Sequence, residues 1–344
     1  MQKTKLLVIG PSIKKSKGGM ASVIRQEAES PYLNEKLQMK IFSSYCDGKP
    51  WKRMLYSGWK ILCGLEAVPA ADVLHIHMTS KGSMIRKLFY IQEGLLFHKK
   101  IIVQIHCCEY FLEKLYEMPA WVQKRAKKLL SKTDSVLCLS HKFKKLLEDE
   151  LGLTNCLYFP NGIAPESYEF SEHKEGNVVG YLGKIRTDKG VPDLLKAVSI
   201  LQEKGIPVSC IIGGTGDLPA MKKLCEEYKL ENVIFPGWMT EKDKKELLSM
   251  SRVLALPSYH EGFPVVILEA MASGVEVVAT DVGAIPEVIE TDLKPGDVQG
   301  LANMIAQKLL TNKNQLEQNR RKTEEEYNIH TLHKKLYLIL KADH

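Results

Sequence analysis

The sequence lacks the features that would mark a membrane-spanning or secreted protein. No apolar run reaches the roughly 18 residues that a membrane-spanning helix requires, because Glu269 interrupts the longest candidate. The N-terminus has no signal-peptide pattern, since Lys3 and Lys5 lead directly into a short strand. We therefore expect a cytoplasmic protein.

Paired metal ligands and a nucleotide-cofactor fingerprint are also missing. The eight cysteines are scattered without a CxxC step, so neither a zinc site nor a disulfide framework is indicated. Gly18 and Gly19 lack the GxGxxG spacing of a dinucleotide-binding loop. His75 and His77 share one face of a strand, but no carboxylate or cysteine follows at a spacing suitable for a metal ligand. The sequence thus predicts no bound metal and no cofactor.

Acidic residues are scarce in the first half of the chain. Residues 1–160 contain 26 Lys and Arg against 14 Asp and Glu, a formal charge of +12, whereas residues 161–344 contain 22 against 27. Such an excess favours an anionic partner, either the inner leaflet of a membrane or nucleic acid. The basic clusters lack the interleaved aromatic residues that stack on bases, so we expect a membrane surface and no nucleic acid. For any single cluster, a solvated helix face is the alternative.

Length and patterning predict an α/β protein with two domains. A chain of 344 residues is too long for one core of ordinary size. Short apolar runs, such as residues 6–9, 135–139 and 178–182, alternate with helical patterns of about 10–15 residues, which is typical of βαβ units and a parallel sheet. A Pro-Asn-Gly turn at residues 160–162 interrupts the pattern.

The most informative stretch runs from residue 258 to residue 290. An apolar run ends at Pro257 and a helical pattern begins at Pro264, so the residues between them form a loop at the carboxyl end of a strand, where open parallel sheets bind ligands. Glu261 lies in this loop. Glu269 lies within the otherwise apolar helix, where a carboxylate needs a partner such as the hydroxyls of a sugar or ribose; the alternative is a polar helix face in solvent.

These residues resemble the double-glutamate motif of retaining GT-B glycosyltransferases, most closely the large group numbered family 4. Glu261, the following Gly262-Phe263-Pro264, and Glu269 carry the resemblance, and residues 274–281 and 283–287 extend it. It implies two Rossmann-like parallel-sheet domains that face each other across a cleft. The domains would span residues 1–160 for the acceptor and 161–330 for the nucleotide-sugar, and a C-terminal helix within residues 331–344 would pack back on the first domain.

The resemblance also implies roles for individual residues. Glu261 would bind hexose hydroxyls and Glu269 the ribose. Lys189 would hold the diphosphate together with Lys184 or Arg186; the family has an arginine at the position of Lys184, so the choice between these two stays open. The remaining donor-binding candidates are Gly18, Gly19, Gly214, Gly216, Trp238, Gly262, Phe263 and Pro264. His106 would lie near the sugar, although the family usually has a glycine next, where this chain has Cys107.

The function that follows is metal-independent, retaining transfer of a hexose from a UDP- or GDP-sugar to a sugar or polyprenyl-diphosphate-linked acceptor. Many similar enzymes assemble bacterial capsule, exopolysaccharide or lipopolysaccharide, and the basic first half fits a peripheral enzyme on the inner face of the cytoplasmic membrane. One alternative is a nucleotide-sugar epimerase of the same fold. Another is a non-enzymatic polyanion-binding protein, which would leave Glu261 and Glu269 unexplained.

Overall fold

The computed structural model describes residues 3–14, 16, 18–45, 50–310 and 313–342. The chain forms two compact units, the first from residues 1–161 and 329–344 and the second from residues 162–328. None of the helices in these described ranges is long and apolar enough to cross a membrane. The structure describes seven of the eight cysteines and records no disulfide among them; Cys46 lies outside the described residues.

The first unit contains a six-stranded parallel sheet. Its strands are β1 (Thr4–Pro11), β2 (Leu37–Tyr45), β3 (Val73–Met78), β4 (Lys100–Ile105), β5 (Ser135–Cys138) and β6 (Cys156–Tyr158), in the spatial order β2-β1-β3-β4-β5-β6. The helices between them are α1 (Gly19–Glu29), α2 (Pro31–Lys36), α3 (Pro50–Ala67), α4 (Gly82–Leu96), α5 (Glu109–Tyr116), α6 (Ala120–Leu130) and α7 (His141–Leu151). Buried parallel strands carry apolar side chains on both faces, which explains the continuous apolar runs in the sequence.

The second unit contains a five-stranded parallel sheet. Its strands are β7 (Val178–Leu182), β8 (Ser209–Gly213), β9 (Val233–Gly237), β10 (Val253–Leu256) and β11 (Glu276–Ala279), in the spatial order β11-β10-β7-β8-β9. Its helices are α8 (Val191–Glu203), α9 (Leu218–Glu227), α10 (Glu241–Met250), α11 (Val265–Ala272), α12 (Ile285–Val288), α13 (Val298–Lys308) and α14 (Lys313–Glu325).

The last helix, α15 (Ile329–Lys341), belongs to the first unit although it follows the second in sequence. Its buried Leu332, Leu336 and Leu340 join the same apolar cluster as Leu6 and Val8 of β1. The chain therefore leaves the first unit at residue 161 and returns to it at residue 329.

Each sheet has one point at which the order of the strands reverses. In the first unit β1 lies between β2 and β3, and in the second unit β7 lies between β8 and β10. The connections on the two sides of β1 and of β7 diverge, which opens a crevice at the carboxyl ends of these strands. The first unit therefore has its crevice beside β1 and β3, and the second beside β7 and β10.

Candidate functional site

The structure brings Lys189 and Glu261 together in the crevice of the second unit. Lys189 follows β7 and Glu261 follows β10, the two strands on either side of the switch point. The Lys189 ammonium donates to a carboxylate oxygen of Glu261 at 2.6 Å and to the backbone oxygen of His260 at 2.8 Å. Both side chains are mostly buried, with 21% and 14% of their surfaces exposed. The pair is therefore held in a defined place but is still reachable from solvent.

The backbone around this pair depends on Gly190. This residue has φ of +67°, and a Cβ atom added to it would lie 1.9 Å from the backbone oxygen of Pro257. The loop after β7 thus touches the loop after β10, and the amide of Tyr259 donates to the oxygen of Asp188 at 3.0 Å. A side chain at residue 190 would push the two loops apart. The sequence places a glycine where the site requires close contact.

Lys184 and Arg186, the two candidates for the second diphosphate cation, differ in their surroundings. The Arg186 guanidinium forms an ion pair with Asp188 in the same loop, with Nε 2.8 Å from a carboxylate oxygen. Lys184 is exposed, and the structure shows no carboxylate paired with it among the described residues. Its backbone oxygen accepts from the hydroxyl of the buried Tyr181 at 2.8 Å, which fixes the loop. Lys184 is thus the cation of this loop without an internal counter-charge.

Glu269 is buried in α11, so the alternative of a solvent-facing carboxylate is wrong. It has only 7% of its surface exposed, and Lys244 of α10 donates to its Oε1 at 3.0 Å. Tyr168 lies beside it as well: burial, followed by the charge of Glu269, raises the pKa of that phenol. The sequence predicted that this carboxylate needs a partner, and the only partners expected were the hydroxyls of a bound ligand. Lys244 was missed because α10 carries three lysines with no pattern to show which one points inward.

Gly214 and Gly216 lie where two loops approach each other. A Cβ atom at Gly214 would lie 1.7 Å from the oxygen of Gly183, and one at Gly216 would lie 1.9 Å from the oxygen of Ile185. The amide of Ile185 donates to the oxygen of Thr215 at 3.0 Å. This contact between backbones explains both glycines without a ligand. It also holds the loop that carries Lys184 and Arg186 against the end of β8.

The other candidate residues of the second unit also lie at the carboxyl-terminal end of the sheet. Gly262, Phe263 and Pro264 precede α11, and the amide of Ala284 donates to the oxygen of Gly262 at 2.9 Å. Phe263 is buried. Trp238 directly follows β9 and has 52% of its surface exposed. All of these positions therefore follow carboxyl ends of strands in one sheet.

His106, Gly18 and Gly19 belong to the first unit. His106 follows β4, and its Nε2 lies 2.9 Å from Nδ1 of His77. Burial, followed by the neighbouring His77, holds the pKa of His106 well below its usual value, so its imidazole is neutral at pH 7. Gly18 and Gly19 lie at the start of α1. The structure thus places the partly buried His106 next to the buried imidazoles of His77 and His75.

The imidazoles of His75 and His77 meet Glu27, a carboxylate that sequence reasoning missed. Glu27 Oε2 lies 3.3 Å from Nδ1 of His75 and 3.4 Å from Nε2 of His77, and all three side chains are buried. One ligand atom from each residue lies within 4.8 Å of the others, so the group could hold a metal ion. The carboxylate comes from α1, which precedes the histidines in sequence. A search for ligands that follow the two histidines in sequence therefore could not find this carboxylate. That the protein binds no metal stays a prediction.

The chain resembles known proteins in both sequence and structure. Residues 165–326 match the sequence model of the family described as glycosyl transferases group 1. A Klebsiella pneumoniae protein, described as an uncharacterized 41.2 kDa protein in the cps region, is 25% identical over 235 residues, which are 64% of this chain and 63% of that protein. The Escherichia coli K12 protein WcaL, provisionally named a colanic acid biosynthesis glycosyltransferase, is 29% identical over 178 residues, or 47% of this chain and 44% of that protein.

A solved structure extends the likeness to both units. Anabaena HepE, crystallised in complex with UDP, matches with a TM-score of 0.75 at 17% identity, covering 97% of this chain and 98% of that chain. At this identity the likeness concerns the fold alone. The family match covers the second-unit residues Lys184, Lys189, Glu261 and Glu269. The resemblance noted in the sequence is therefore confirmed at the level of the glycosyl transferases group 1 model, which residues 165–326 match, and of the GT-B fold. Retention and the assignment to family 4 stay predictions.

Proposed function

We propose that this protein is a retaining glycosyltransferase that moves a hexose from a UDP- or GDP-sugar to a sugar or lipid-linked oligosaccharide. The observation that carries the proposal is the pairing of Lys189 with Glu261 at the switch point of the second sheet, inside the segment that matches group 1. The name of WcaL, which refers to colanic acid biosynthesis, supports a role in the assembly of a bacterial cell-surface polysaccharide.

The Lys189 ammonium has one donor left for the donor diphosphate. An ammonium carries three N–H groups, and two of them point at Glu261 and at the oxygen of His260. The third would bind a phosphate oxygen, and Lys184 or Arg186 would add a second positive charge. These cations stabilise the negative charge that develops on the leaving nucleotide, which is often the largest contribution to such a transfer. The reaction would thus proceed without a divalent cation.

The two glutamates would bind the uncharged parts of the donor. Glu261 uses Oε1 for Lys189, and its other oxygen would accept from hexose hydroxyls. Glu269 uses Oε1 for Lys244, and its remaining capacity would serve ribose hydroxyls. In both cases a lysine neutralises the carboxylate, so an anionic donor can approach. Retention of the anomeric configuration follows from the resemblance, with the leaving phosphate helping to deprotonate the acceptor on the same face.

The acceptor would be presented at the inner face of the cytoplasmic membrane. The charge of +12 on residues 1–160 favours contact with an anionic leaflet, where each basic residue contributes on the order of 1 kcal/mol. A polyprenyl-diphosphate-linked sugar in that leaflet would be the substrate.

Donor turnover and stereochemistry test the proposal. The purified protein is incubated with UDP- and GDP-hexoses, with and without polyprenyl-linked sugars, and the release of nucleoside diphosphate and the anomeric signals of the product are followed by NMR. We expect product of unchanged anomeric configuration, activity in the presence of a chelator, and a loss of at least tenfold in Lys189→Ala.

Lys308→Ala is the matched control. Lys308 also pairs with a buried glutamate, at 2.9 Å from Glu276. Glu276 is the first residue of β11, so this pair lies at the amino-terminal end of the strands, opposite the proposed site. This variant should keep its activity. Conversion of the free donor to its epimer without any acceptor would contradict the proposal, as would an inverted product.

A further inference from the structure

A pocket of about 900 Å³ lies in the crevice of the first unit. Its lining comes from the segments that follow β1 and β3, from Tyr45 at the end of β2, and from α1, α3 and α4. It therefore occupies the switch point of this sheet, where open α/β sheets bind ligands. Gly18 and Gly19, which the resemblance implies bind the donor, line this pocket, but the function proposed above places no specific ligand group in it.

The charged side chains of the lining are all positive. They are Arg53, Lys81, Arg86 and Lys87, and no Asp or Glu is among the described residues that line the pocket. In the part of the chain that the structure describes, none of these four cations has a carboxylate partner. In the second unit, by contrast, the partly buried Lys189, Lys244 and Lys308 each pair with a glutamate. The described part of the lining thus carries a positive charge that no carboxylate of the described residues compensates.

Tyr45 holds two of these cations near each other. Arg53 donates to its hydroxyl at 3.2 Å, and the Arg86 guanidinium lies over its ring at 4.9 Å from the centroid. Lys87 is almost fully buried and donates to the hydroxyl of Ser44. Burial, followed by the charge of Arg86, holds the pKa of Lys87 well below its usual value. An anion in the pocket would offset both effects.

Uncharged donors converge on the same space. Helices α1 and α4 both begin at the pocket, and their N-caps, Gly18 and Lys81, supply no side-chain hydrogen bond to the first turn. Ser16 also lines the pocket; its hydroxyl is buried and has no hydrogen-bond partner among the described residues. Open helix N-termini with a buried hydroxyl and arginine side chains form the type of site that binds phosphate.

Helix α3 contributes the apolar Met54 and Ile61 to the lining beside Arg53, and large apolar side chains continue onto the outer surface of that helix. Six of its large apolar side chains expose at least half of their surface: Trp51, Met54, Leu55, Trp59, Leu62 and Leu65. Of the α3 residues whose burial the structure describes, only the small Ser57 and Gly64 are buried. A Cβ atom at Gly64 would lie 2.3 Å from a carboxylate oxygen of Glu93 and 3.0 Å from a ring carbon of Tyr90, so α3 packs closely against α4 at this point. Helix α3 thus exposes its largest apolar side chains, whereas an ordinary surface helix buries its apolar face.

We propose that this pocket binds the phosphate-bearing headgroup of a polyprenyl-linked acceptor, and that the exposed apolar face of α3 lies in the lipid bilayer. The inference rests on the proposed function, because it identifies the acceptor of that transfer. Met54 belongs both to the lining and to the exposed face, so a headgroup among the cations would have its apolar chain next to α3.

Membrane lipid is favoured over a protein partner by the composition of this face. The ammonium of Lys52 lies 5.3 Å from the ring centroid of Trp51, and that of Lys60 lies 4.7 Å from that of Trp59. The expectation that the basic clusters lack interleaved aromatic residues is therefore wrong for α3. Tryptophans interleaved with cations are typical of helices that lie in the interface of an anionic membrane. A single acidic residue, Glu66, lies within α3.

Vesicle flotation of the full chain tests the proposal. The vesicles are phosphatidylcholine alone, phosphatidylcholine with phosphatidylglycerol, and a charge-matched mixture in which a polyprenyl phosphate replaces part of the phosphatidylglycerol. We expect binding to rise with phosphatidylglycerol and to rise further with the polyprenyl phosphate. Arg53→Gln/Arg86→Gln should lose only this further gain, by about tenfold. Trp51→Ser/Leu55→Ser should lose binding to all three.

Helix α6 provides matched controls. Trp121 has 69% of its surface exposed, and Lys124 and Arg125 are exposed on the same helix. Trp121→Ser and Lys124→Gln/Arg125→Gln should bind all vesicles like the unchanged protein. Equal losses in these controls would overturn the proposal, because binding would then be a generic effect of charge and exposed aromatics. Three other results would also overturn the proposal. The protein could bind equally to the two charge-matched mixtures, or inorganic phosphate could compete as effectively as the lipid. The protein could also form concentration-dependent dimers in which the apolar face of α3 is buried against a second copy.

Nucleotide binding, measured on the same samples, separates this inference from the proposed function. Stabilisation by a nucleoside diphosphate without a preference for polyprenyl phosphate would refute the pocket assignment and leave the transferase. A pocket-dependent preference for polyprenyl phosphate without any nucleotide binding would refute the transferase and leave a lipid-phosphate site.

Discussion

The pairing of Lys189 with Glu261 allows a double-mutant test of the donor site. With 21% and 14% of their side chains exposed, the two residues lie between a surface pair and a buried pair, so removing the ammonium should cost about 2 kcal/mol of nucleotide affinity, or about thirtyfold. Part of this loss arises because Lys189→Ala leaves the carboxylate of Glu261 uncompensated beside the diphosphate. Adding Glu261→Gln to Lys189→Ala should therefore restore several-fold of the affinity, whereas Glu261→Gln alone should change the affinity for the nucleoside diphosphate little.

Isothermal titration calorimetry with UDP and GDP measures all four proteins, and Lys308→Ala controls for the loss of an ammonium next to a buried glutamate elsewhere in the unit. If Lys189→Ala binds both nucleotides like the unchanged protein, Lys189 does not bind the diphosphate. If Glu261→Gln fails to improve the affinity of Lys189→Ala, the lysine does not lie between the carboxylate and the phosphate.

Three further predictions concern stability. Gly190→Ala should cost about 2 kcal/mol more than Gly205→Ala in urea unfolding, because both glycines have positive φ but only the first would clash with the backbone of Pro257. Burial raises the pKa of Glu93 to about 7, above its unfolded value, so the stabilising contribution of Glu93 is present at low pH and is lost as pH rises through 7. Glu93→Gln should therefore be more stable than the unchanged protein at about pH 8.5 and similarly stable at about pH 5. Burial lowers the pKa of His77 to about 4, below its unfolded value of 6.5. The contribution of His77 to the free energy of unfolding, about 3 kcal/mol, is thus present above pH 6.5 and lost as pH falls through 4. The loss of stability over this pH range should be smaller in His77→Gln.

The sequence was sufficient to predict the parallel sheets, because buried strands require apolar residues on both faces and the intervening helices have their own period. The loop before α11 was also predictable, since Pro257 and Pro264 bound it. The contact between Lys189 and Glu261 was not, because it depends on β10 lying next to β7, and strand order is not written in the local pattern.

The same limit explains the residues that were missed. Glu27 meets His75 and His77 only because α1 covers that face of the sheet, and their separation in sequence gives no sign of it. The apolar stripe of α3 has an ordinary helical period, and a period does not tell whether the stripe faces the core or the solvent. The small residues on the opposite side, Ser57 and Gly64, are the signal that could have shown it.

The most direct test of the account is a thermal-shift panel of UDP, GDP, ADP, CMP and their sugar conjugates. We predict that one nucleoside diphosphate and its sugar stabilise the unchanged protein and Lys308→Ala equally, and that the stabilisation is lost in Lys189→Ala and Glu269→Ala. The absence of a shift with every nucleotide, together with salt-sensitive binding to nucleic acid, would contradict the donor site and favour a polyanion-binding protein.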